Sequence, residues 1–522
     1  CLLCSYVFPE HERRLKTIFE EECPNKPVSI SYELLPKWKE HERSSTTIAD
    51  AYIKPIVSQN LLRLQDRLNE AGDIKKVAVI KSNGGETTLE GARQYPIHLS
   101  LSGPTGGVIG AKYIAGLSGV GNLVTLDMGG TSTDVSTIVS ARESFTTSYE
   151  IEFGVPIQIP MLDIRTMGAG GGSIAWIDKG GMLRVGPQSA GAQPGPACYG
   201  RGGKDPTVTD ANVVLGRINP SNFLGGEMSL DVDAAKQAIK NVADQIEVSI
   251  DEAAIGIVQI ANNNMVGALR MVLTERGLDP RDFTLLAFGG AGPVHITDVM
   301  HSASIPSGIV PNFPGQFSAF GFIMTDARVD LERTAPMTSK AFNAEHASRV
   351  LSDLVTEAKQ SLSTQGYQAN LEIYRSLEMR YFGQNHELEV AVEFDSFDEQ
   401  TILDVWQQFH SVHKTRYNFD IPGETIELIS IKVTAVSLTP KPNLLEIERS
   451  SGPVISEGTR LVRYDSGHIE TPIYSRELLK AGDSFNGPAI IEEGASVTII
   501  RPEYNVKIDR YGNILIGEIA TK

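Results

Sequence analysis

Asp127-Met-Gly-Gly-Thr-Ser-Thr-Asp134 concentrates more chemistry than any other stretch of this sequence. One apolar run, Asn122 to Leu126, leads in and another, Val135 to Val139, leads out, so the segment reads as a tight strand-turn-strand. Gly129 and Gly130 let backbone N–H groups close on an anion, because no Cβ blocks the approach. Thr131 and Thr133 add hydroxyl donors. Asp127 and Asp134 flank the turn, and carboxylates beside a phosphate cradle are repelled unless a cation lies between them. The pattern therefore points to Mg²⁺, which takes one or two carboxylates together with phosphate oxygens and waters. An ordinary hairpin with a polar turn is the alternative.

A second segment, Leu285-Leu-Ala-Phe-Gly-Gly-Ala-Gly-Pro293, is a buried strand that ends in glycines just before a helix. At Gly289, Gly290, Ala291 and Gly292 the backbone can come close to a flat ligand, or to a phosphate at a helix N-terminus. A third, Gly168-Ala-Gly-Gly-Gly-Ser173, offers Gly168, Gly170, Gly171, Gly172 and Ser173 as a cradle for phosphate or a substrate carbonyl; a flexible turn is the plainer reading. Asp163 and Arg165 precede it, as substrate-orienting groups or as an ion pair. Asp210 has the chemistry of a metal ligand, but it also sits where a helix N-cap is wanted, which is the favoured reading. His295 reads as a buried, hydrogen-bonded structural residue. His410 and His413 have the spacing of a metal pair, but with Trp406, Phe409 and Tyr417 they form a packed aromatic stripe. Cys198 has no partnered base in view and reads as structural.

Regular elements must hold these loops. Helices are expected over 10–23, 56–71, 232–245, 251–276, 344–362 and 398–417, and strands over 77–80, 122–126, 135–139, 284–288 and 427–438, with a strand pair around 371–394. The stretch from Gly168 to Gly203 is too rich in Gly and Pro for a helix or a long strand. Cys1 to Phe8 reads as a buried strand with Cys1 and Cys4 in its core, and the unit it belongs to looks entered halfway, with sequence upstream missing or cleaved off. Pro440 to Pro453 reads as a linker, and the last 70 residues are strand and turn. The expected division is 1–80, 81–335, 336–445 and a C-terminal β-rich domain, 453–522.

Composition narrows the function classes. Lys plus Arg total 47 against 64 Asp plus Glu, a net charge of -17, which disfavours a nucleic-acid partner. No apolar run reaches 18 residues, so no membrane partner is expected. Four cysteines are too few for a disulfide scaffold and suit a cytoplasmic protein.

The Asp127 and Gly289 motifs together resemble the second phosphate loop and the adenosine loop of the actin, Hsp70 and sugar-kinase superfamily. A closer likeness follows from a series of motifs in fixed order: Ser82-Asn-Gly-Gly85, Leu101-Ser-Gly-Pro-Thr-Gly-Gly107, Leu126 to Asp134, Gly168 to Ser173, Val185-Gly-Pro-Gln-Ser-Ala-Gly191, Pro194-Gly-Pro-Ala-Cys-Tyr-Gly200, Thr207-Val-Thr-Asp-Ala-Asn212, Phe288 to Pro293 and Gly487-Pro-Ala-Ile-Ile-Glu492. The series resembles the A-type subunit of the ATP-dependent hydantoinase/5-oxoprolinase family, which includes acetone-carboxylase-type subunits. That resemblance implies an α/β fold with actin-like (ribonuclease-H-like) lobes and a C-terminal β-rich domain. It implies ATP and Mg²⁺ as cofactors, Asp127 and Asp134 around the metal, and ring-opening of a cyclic amide such as a hydantoin or 5-oxoproline. It also implies a B-type partner subunit in a hetero-oligomer. Family members carry a first Asp-x-Gly-Gly-Thr loop in an N-terminal domain; residues 1–126 contain none, so the N-terminal lobe is expected to be incomplete. A ketone carboxylase subunit and a non-catalytic ATP switch are the rival readings.

Overall fold

Alternating apolar patterns and continuous apolar runs give this chain two large sheets of different kinds. The computed structural model describes residues 1–72, 74, 77–146, 149–150 and 154–519, and the chain divides into two units. The first comprises 1–105, 145–162 and 325–441, and the second 106–144, 163–324 and 442–522. The sequential division expected above is thus replaced by an interleaved one.

The first unit holds a six-stranded sheet in the order 78–80, 86–88, 327–338, 426–437, 371–381, 388–392. Its strands alternate. Leu377, Met379, Ile431, Val433 and Ala435 pack under the helices Ala344–Thr364 and Glu399–Tyr417, against Leu351, Leu354 and Phe409. The other face carries ion pairs: the Lys37 ammonium lies 3.1 Å from Glu332 and 3.3 Å from Glu378, and Lys432 lies 2.6 Å from Glu378. His413 is buried in the aromatic stripe, its Nδ1 2.7 Å from the Phe419 carbonyl, and His410 meets the Tyr381 hydroxyl at 2.6 Å. The stripe is packing, as read from the spacing.

Residues 1–8 are a turn, not a strand, and Cys1 and Cys4 are exposed thiols rather than core. Among the described residues no strand pairs with this run. Side chains hold it instead: the Leu2 N–H donates to Glu12 at 2.7 Å, and the fully buried Arg43 donates to the Leu2 carbonyl at 2.9 Å and to the Ser5 hydroxyl. Glu10–Glu22 is helical as expected, and the helix expected over 56–71 begins much earlier, at Glu40.

The second unit is built on a nine-stranded sheet in the order 165–167, 133–139, 123–128, 284–288, 307–310, 514–518, 504–508, 484–486, with 142–143 added beside 133–139. Strands 123–128, 284–288 and 307–310 are parallel, and the other pairings are antiparallel. Parallel strands covered on both faces read as unbroken apolar runs, which is why Leu285 to Phe288 shows no alternation. Val124, Leu126, Leu285 and Ala287 pack toward helix Ile250–Thr274, whereas Leu123, Leu286 and Phe288 pack toward helix Ser102–Ser118.

The segment 453–522, expected as a separate β-rich domain, is shared out. Strands 458–464, 467–475, 489–493 and 496–500 form their own sheet, while 484–486, 504–508 and 514–518 extend the large one. The Gly168–Gly203 stretch, expected to be irregular, contains a hairpin, Ser173–Ile177 with Leu183–Ser189. The Gly-rich Ser102 to Val108 opens a helix, Ser102–Ser118, and its glycines are a packing device. A Cβ on Gly321 of the helix Phe317–Ile323 would land on the Gly106 carbonyl and 2.9 Å from the Gly110 nitrogen.

Gly321→Ala is therefore expected to lower stability by about 1–3 kcal/mol or more, because backbone sets the clash. Gly116→Ala, with open space around it, is expected to be neutral or stabilising by up to about 1 kcal/mol. Urea denaturation midpoints compare the two, and equal midpoints would contradict the close helix crossing.

Candidate functional site

The site is assembled at the carboxyl ends of parallel strands, where ligands of open α/β sheets are commonly held. Leu123–Met128 and Thr284–Phe288 run side by side with Asp127 opposite Phe288, so the loops after them leave the sheet together. The hairpin pairs Asp127 with Asp134 and Met128 with Thr133. Its turn is closed by the Gly129 N–H on the Ser132 carbonyl at 3.0 Å, with Gly130 and Thr131 at an exposed tip.

Two other glycine loops close on this turn, chiefly through backbone. The Gly171 and Gly172 N–H groups donate to the Gly129 and Gly130 carbonyls at 3.0 and 2.7 Å. A Cβ on Gly170 would lie 2.6 Å from the Thr131 nitrogen. From the other side, the Ala291 N–H donates to the Met128 carbonyl at 3.0 Å. Gly289 has φ +80°, and a Cβ there would strike the Met128 carbonyl and lie 2.6 Å from Asp127 Oδ1, so only glycine fits. Loops 129–132, 168–173 and 289–292, separated by up to 160 residues in sequence, thus form one continuous lining.

The electrostatics follow from the register. Asp127 and Asp134 are like charges directly opposite one another. Burial, and then the neighbouring Asp134, push the Asp127 carboxyl up to about 6, against a hydrogen bond from Ser318. Burial also raises Asp134, against the Thr166 hydroxyl that donates to it at 2.5 Å. Two carboxylates held in this way, with glycine backbone around them, fit a hard cation that brings further oxygen ligands of its own. Among the described residues no group of three or more His, Cys, Asp or Glu is gathered for a metal, so any ion here takes its remaining ligands from elsewhere.

Several expected roles change. Thr133 is fully buried and its hydroxyl donates to the Ala169 carbonyl, so it anchors the neighbouring loop rather than facing a ligand. Ser173 is also buried, accepting the Gly170 N–H at 2.8 Å. Asp163 is paired with Arg165 at 3.1 Å and with Arg276, which commits it to structure. The N-cap of helix Val208–Val214 is Thr207, not Asp210. Asp210 is the third residue of that helix, and it returns the capping bond while accepting the Ala197 and Cys198 N–H groups at 3.2 and 2.7 Å. Cys198 is buried, and its thiol is pushed far up by burial and then by Asp210.

Other groups stand behind the loops. The Thr209 N–H and hydroxyl both donate to the Gly171 carbonyl at 2.8 Å. His295 is buried, with Nδ1 2.7 Å from Asn262 Oδ1 and Nε2 3.3 Å from Asn212 Nδ2. Burial, then Arg217, lower its pKa to about 4. Asp298 accepts from Arg217 at 2.7 Å, Arg501 at 3.0 Å and Asn262 at 3.3 Å. Burial alone would raise this carboxyl, but the two guanidinium groups hold it at about 2. Among these partners only Asn212 and Thr209 fall in a motif quoted above, and Arg217, Asn262, Asp298 and Ser318 carry no local signal.

A family model described as Hydantoinase/oxoprolinase matches residues 43–331, more than half of the chain, and one for the Hydantoinase/oxoprolinase C-terminal domain matches 334–516. The chain belongs to the hydantoinase/oxoprolinase family. Within the family it is 37% identical to an uncharacterized protein of Methanocaldococcus jannaschii, over 98% of this chain and 76% of that protein. It is 32% identical to caprolactamase subunit alpha of Pseudomonas jessenii, over 96% of this chain and 73% of the subunit. The solved structure of the ATP-dependent caprolactamase from that organism superimposes with a TM-score of 0.90 at 31% identity, over 98% of this chain and 76% of that one. The acetophenone carboxylase gamma subunit of Aromatoleum aromaticum is 31% identical, over 99% of this chain and 73% of the subunit. Among the described residues of this hydantoinase/oxoprolinase chain, no helix is long and apolar enough to cross a membrane.

The raised Asp127 makes a signed expectation. Its folded pKa, about 6, exceeds the ordinary aspartate value of 3.8, so the folded state holds the proton more tightly and stability falls as pH rises from about 4 to 6. Asp127→Asn should accordingly be more stable than wild type at pH 7.5 in metal-free buffer, by up to about 3 kcal/mol. His295 acts the other way: its folded pKa, about 4, is below 6.5, so its contribution is present above pH 6.5 and is lost as pH falls toward 4. Urea melts across pH 4–8 on both proteins separate the two, and an Asp127→Asn protein less stable than wild type at pH 7.5 contradicts the repulsion.

Proposed function

We propose that the second unit is an actin-like, ribonuclease-H-type lobe that binds ATP on the three glycine loops and uses it to open a cyclic amide. The observation that carries the reading is the Asp127–Asp134 pair, facing across a hairpin whose turn is lined by backbone from 168–173 and 289–292. The strand order 165–167, 133–139, 123–128, 284–288, 307–310 supports the lobe assignment. The relative named as an ATP-dependent caprolactamase supports the substrate class.

In this reading Gly129, Gly130 and Thr131 bind phosphate oxygens, and Gly289 to Gly292 lie against the adenosine. Asp127 and Asp134 would hold Mg²⁺, which neutralises charge on the β- and γ-phosphates when bound. An unstrained amide is a poor electrophile with a poor leaving group. Moving the γ-phosphoryl onto its carbonyl oxygen forms an O–P bond, releases ADP and leaves an imidate-like centre that water can attack. The glycine loops supply donors fixed before the reaction, so they stabilise developing charge without reorganising. Such a site grips phosphates from two sides, and Asp127–Asp134 is one side of it. A B-type subunit would act beside it, in a hetero-oligomer of the cytoplasm.

A second reading, a subunit of an ATP-dependent ketone carboxylase, is supported by the acetophenone carboxylase relative. In that case the phosphorylated oxygen belongs to an enolate and the attacking carbon meets CO₂ derived from bicarbonate.

Phosphate release from Mg-ATP by the complete enzyme tests these readings. Stimulation by a lactam or hydantoin supports ring-opening, stimulation by ketone plus bicarbonate supports the carboxylase, and stimulation by neither leaves a switch. Asp127→Asn is expected to cut ATP turnover by at least about 100-fold while keeping or raising thermal stability. Near wild-type turnover with Mg²⁺ would remove the phosphate-hairpin assignment.

A further inference from the structure

The second unit also holds a cavity of about 250 Å³ away from the glycine loops, between helices Ile250–Thr274 and Gly292–Ala303 and the strands ending at Tyr464 and Ile500. Arg217, Arg463, Arg501, Asp298 and Asp465 line it, giving three guanidinium groups and two carboxylates. Both carboxylates are already engaged. Asp298 accepts from Arg217, Arg501 and Asn262. Asp465 accepts from Arg501 at 3.0 Å and from Gln259 at 3.1 Å.

Arg501 is engaged by Asp298, by Asp465 and, through Nε, by Glu503 at 3.2 Å, whereas Arg217 and Arg463 keep donors to spare. The Arg217 side chain is 7% exposed, and its Nε has no hydrogen-bond partner. Arg463 donates to the Tyr464 carbonyl at 2.7 Å, with no ion pair to a carboxylate among the described residues. A polar cavity with spent acceptors and surplus guanidinium donors is complementary to an acceptor-only ligand.

We propose that this cavity is a second binding site, for a small oxyanion of the carboxylate or phosphate class, with Arg463 as its main contact at the mouth and Arg217 and Arg501 at its floor. It is separate from the glycine-loop site. Asp298 lies in the second half of the helix whose first residue is Gly292, and at about 1.5 Å per residue that places it roughly 10 Å along the axis. The inference stands on the cavity and its donor excess, and does not need the ATP reading.

The test uses the full chain and two probes, inorganic phosphate and succinate, titrated by calorimetry at constant ionic strength. Saturable binding of at least one probe is expected in wild type. Arg463→Gln should weaken it about tenfold or more, as for loss of a charged hydrogen bond. Asp465→Asn should tighten it by removing a negative charge from the cavity wall, and Asp127→Asn should leave it unchanged. Binding of phosphate alone or succinate alone identifies the source of the oxyanion. The proposal is overturned if neither probe saturates, if binding survives Arg463→Gln, or if it shifts in either direction in Asp127→Asn, which would place the anion at the hairpin instead.

Discussion

Two carboxylates held opposite each other on one hairpin are costly, and the rest of the second unit is organised around keeping them there. Nothing in the hairpin itself relieves the repulsion between Asp127 and Asp134; Ser318 and Thr166 each supply only one hydrogen bond. The neighbouring loops approach with peptide groups and no side chains, because a Cβ at Gly170 or Gly289 would collide with the hairpin backbone. The result is a surface of small residues around a concentrated negative charge, which a bound cation would convert from a liability into an anchor.

Precision in that surface depends on what lies behind it. His295 is neutral and held in one tautomer, because Asn262 presents an acceptor to Nδ1 and Asn212 a donor to Nε2. Asp298, one turn further along the same helix, is clamped by two arginines. These contacts tie helices 208–214, 250–274 and 292–303 together by polar groups whose geometry is far more specific than apolar packing. Thr209 then transmits that rigidity to the Gly171 loop.

Short-range signals in the sequence translated well into structure. The strand Thr284–Phe288 and the hairpin around Asp127 occur where the apolar runs place them, since a run of that length between glycines has few alternatives. Three kinds of feature were not legible. Cys1 to Phe8 has strand composition, but a strand needs an adjacent ladder, and Arg43 and Glu12 hold the run as a turn instead. Thr133 looked like a ligand donor because alternation does not reveal which carbonyl a buried hydroxyl will meet. The polar network around Asp298 draws on residues from 217 to 501, a separation that no local pattern records. The interleaving of the two units is likewise a matter of long-range pairing.

The sheet of the second unit is also finished in an unusual temporal order. Its parallel strands are all present once residue 310 has been made, yet the free edge of Ser307–Val310 pairs with Ile514–Glu518, about 200 residues later. During synthesis on the ribosome that edge, rich in unpaired N–H and C=O groups, remains open while the whole 325–441 segment is translated. The sheet of the site-bearing lobe can therefore be completed only after the strand that closes this edge has been made. A nascent chain is most exposed to sticking to other chains in that interval, and a tag or fusion placed after residue 518 sits next to the step that ends it.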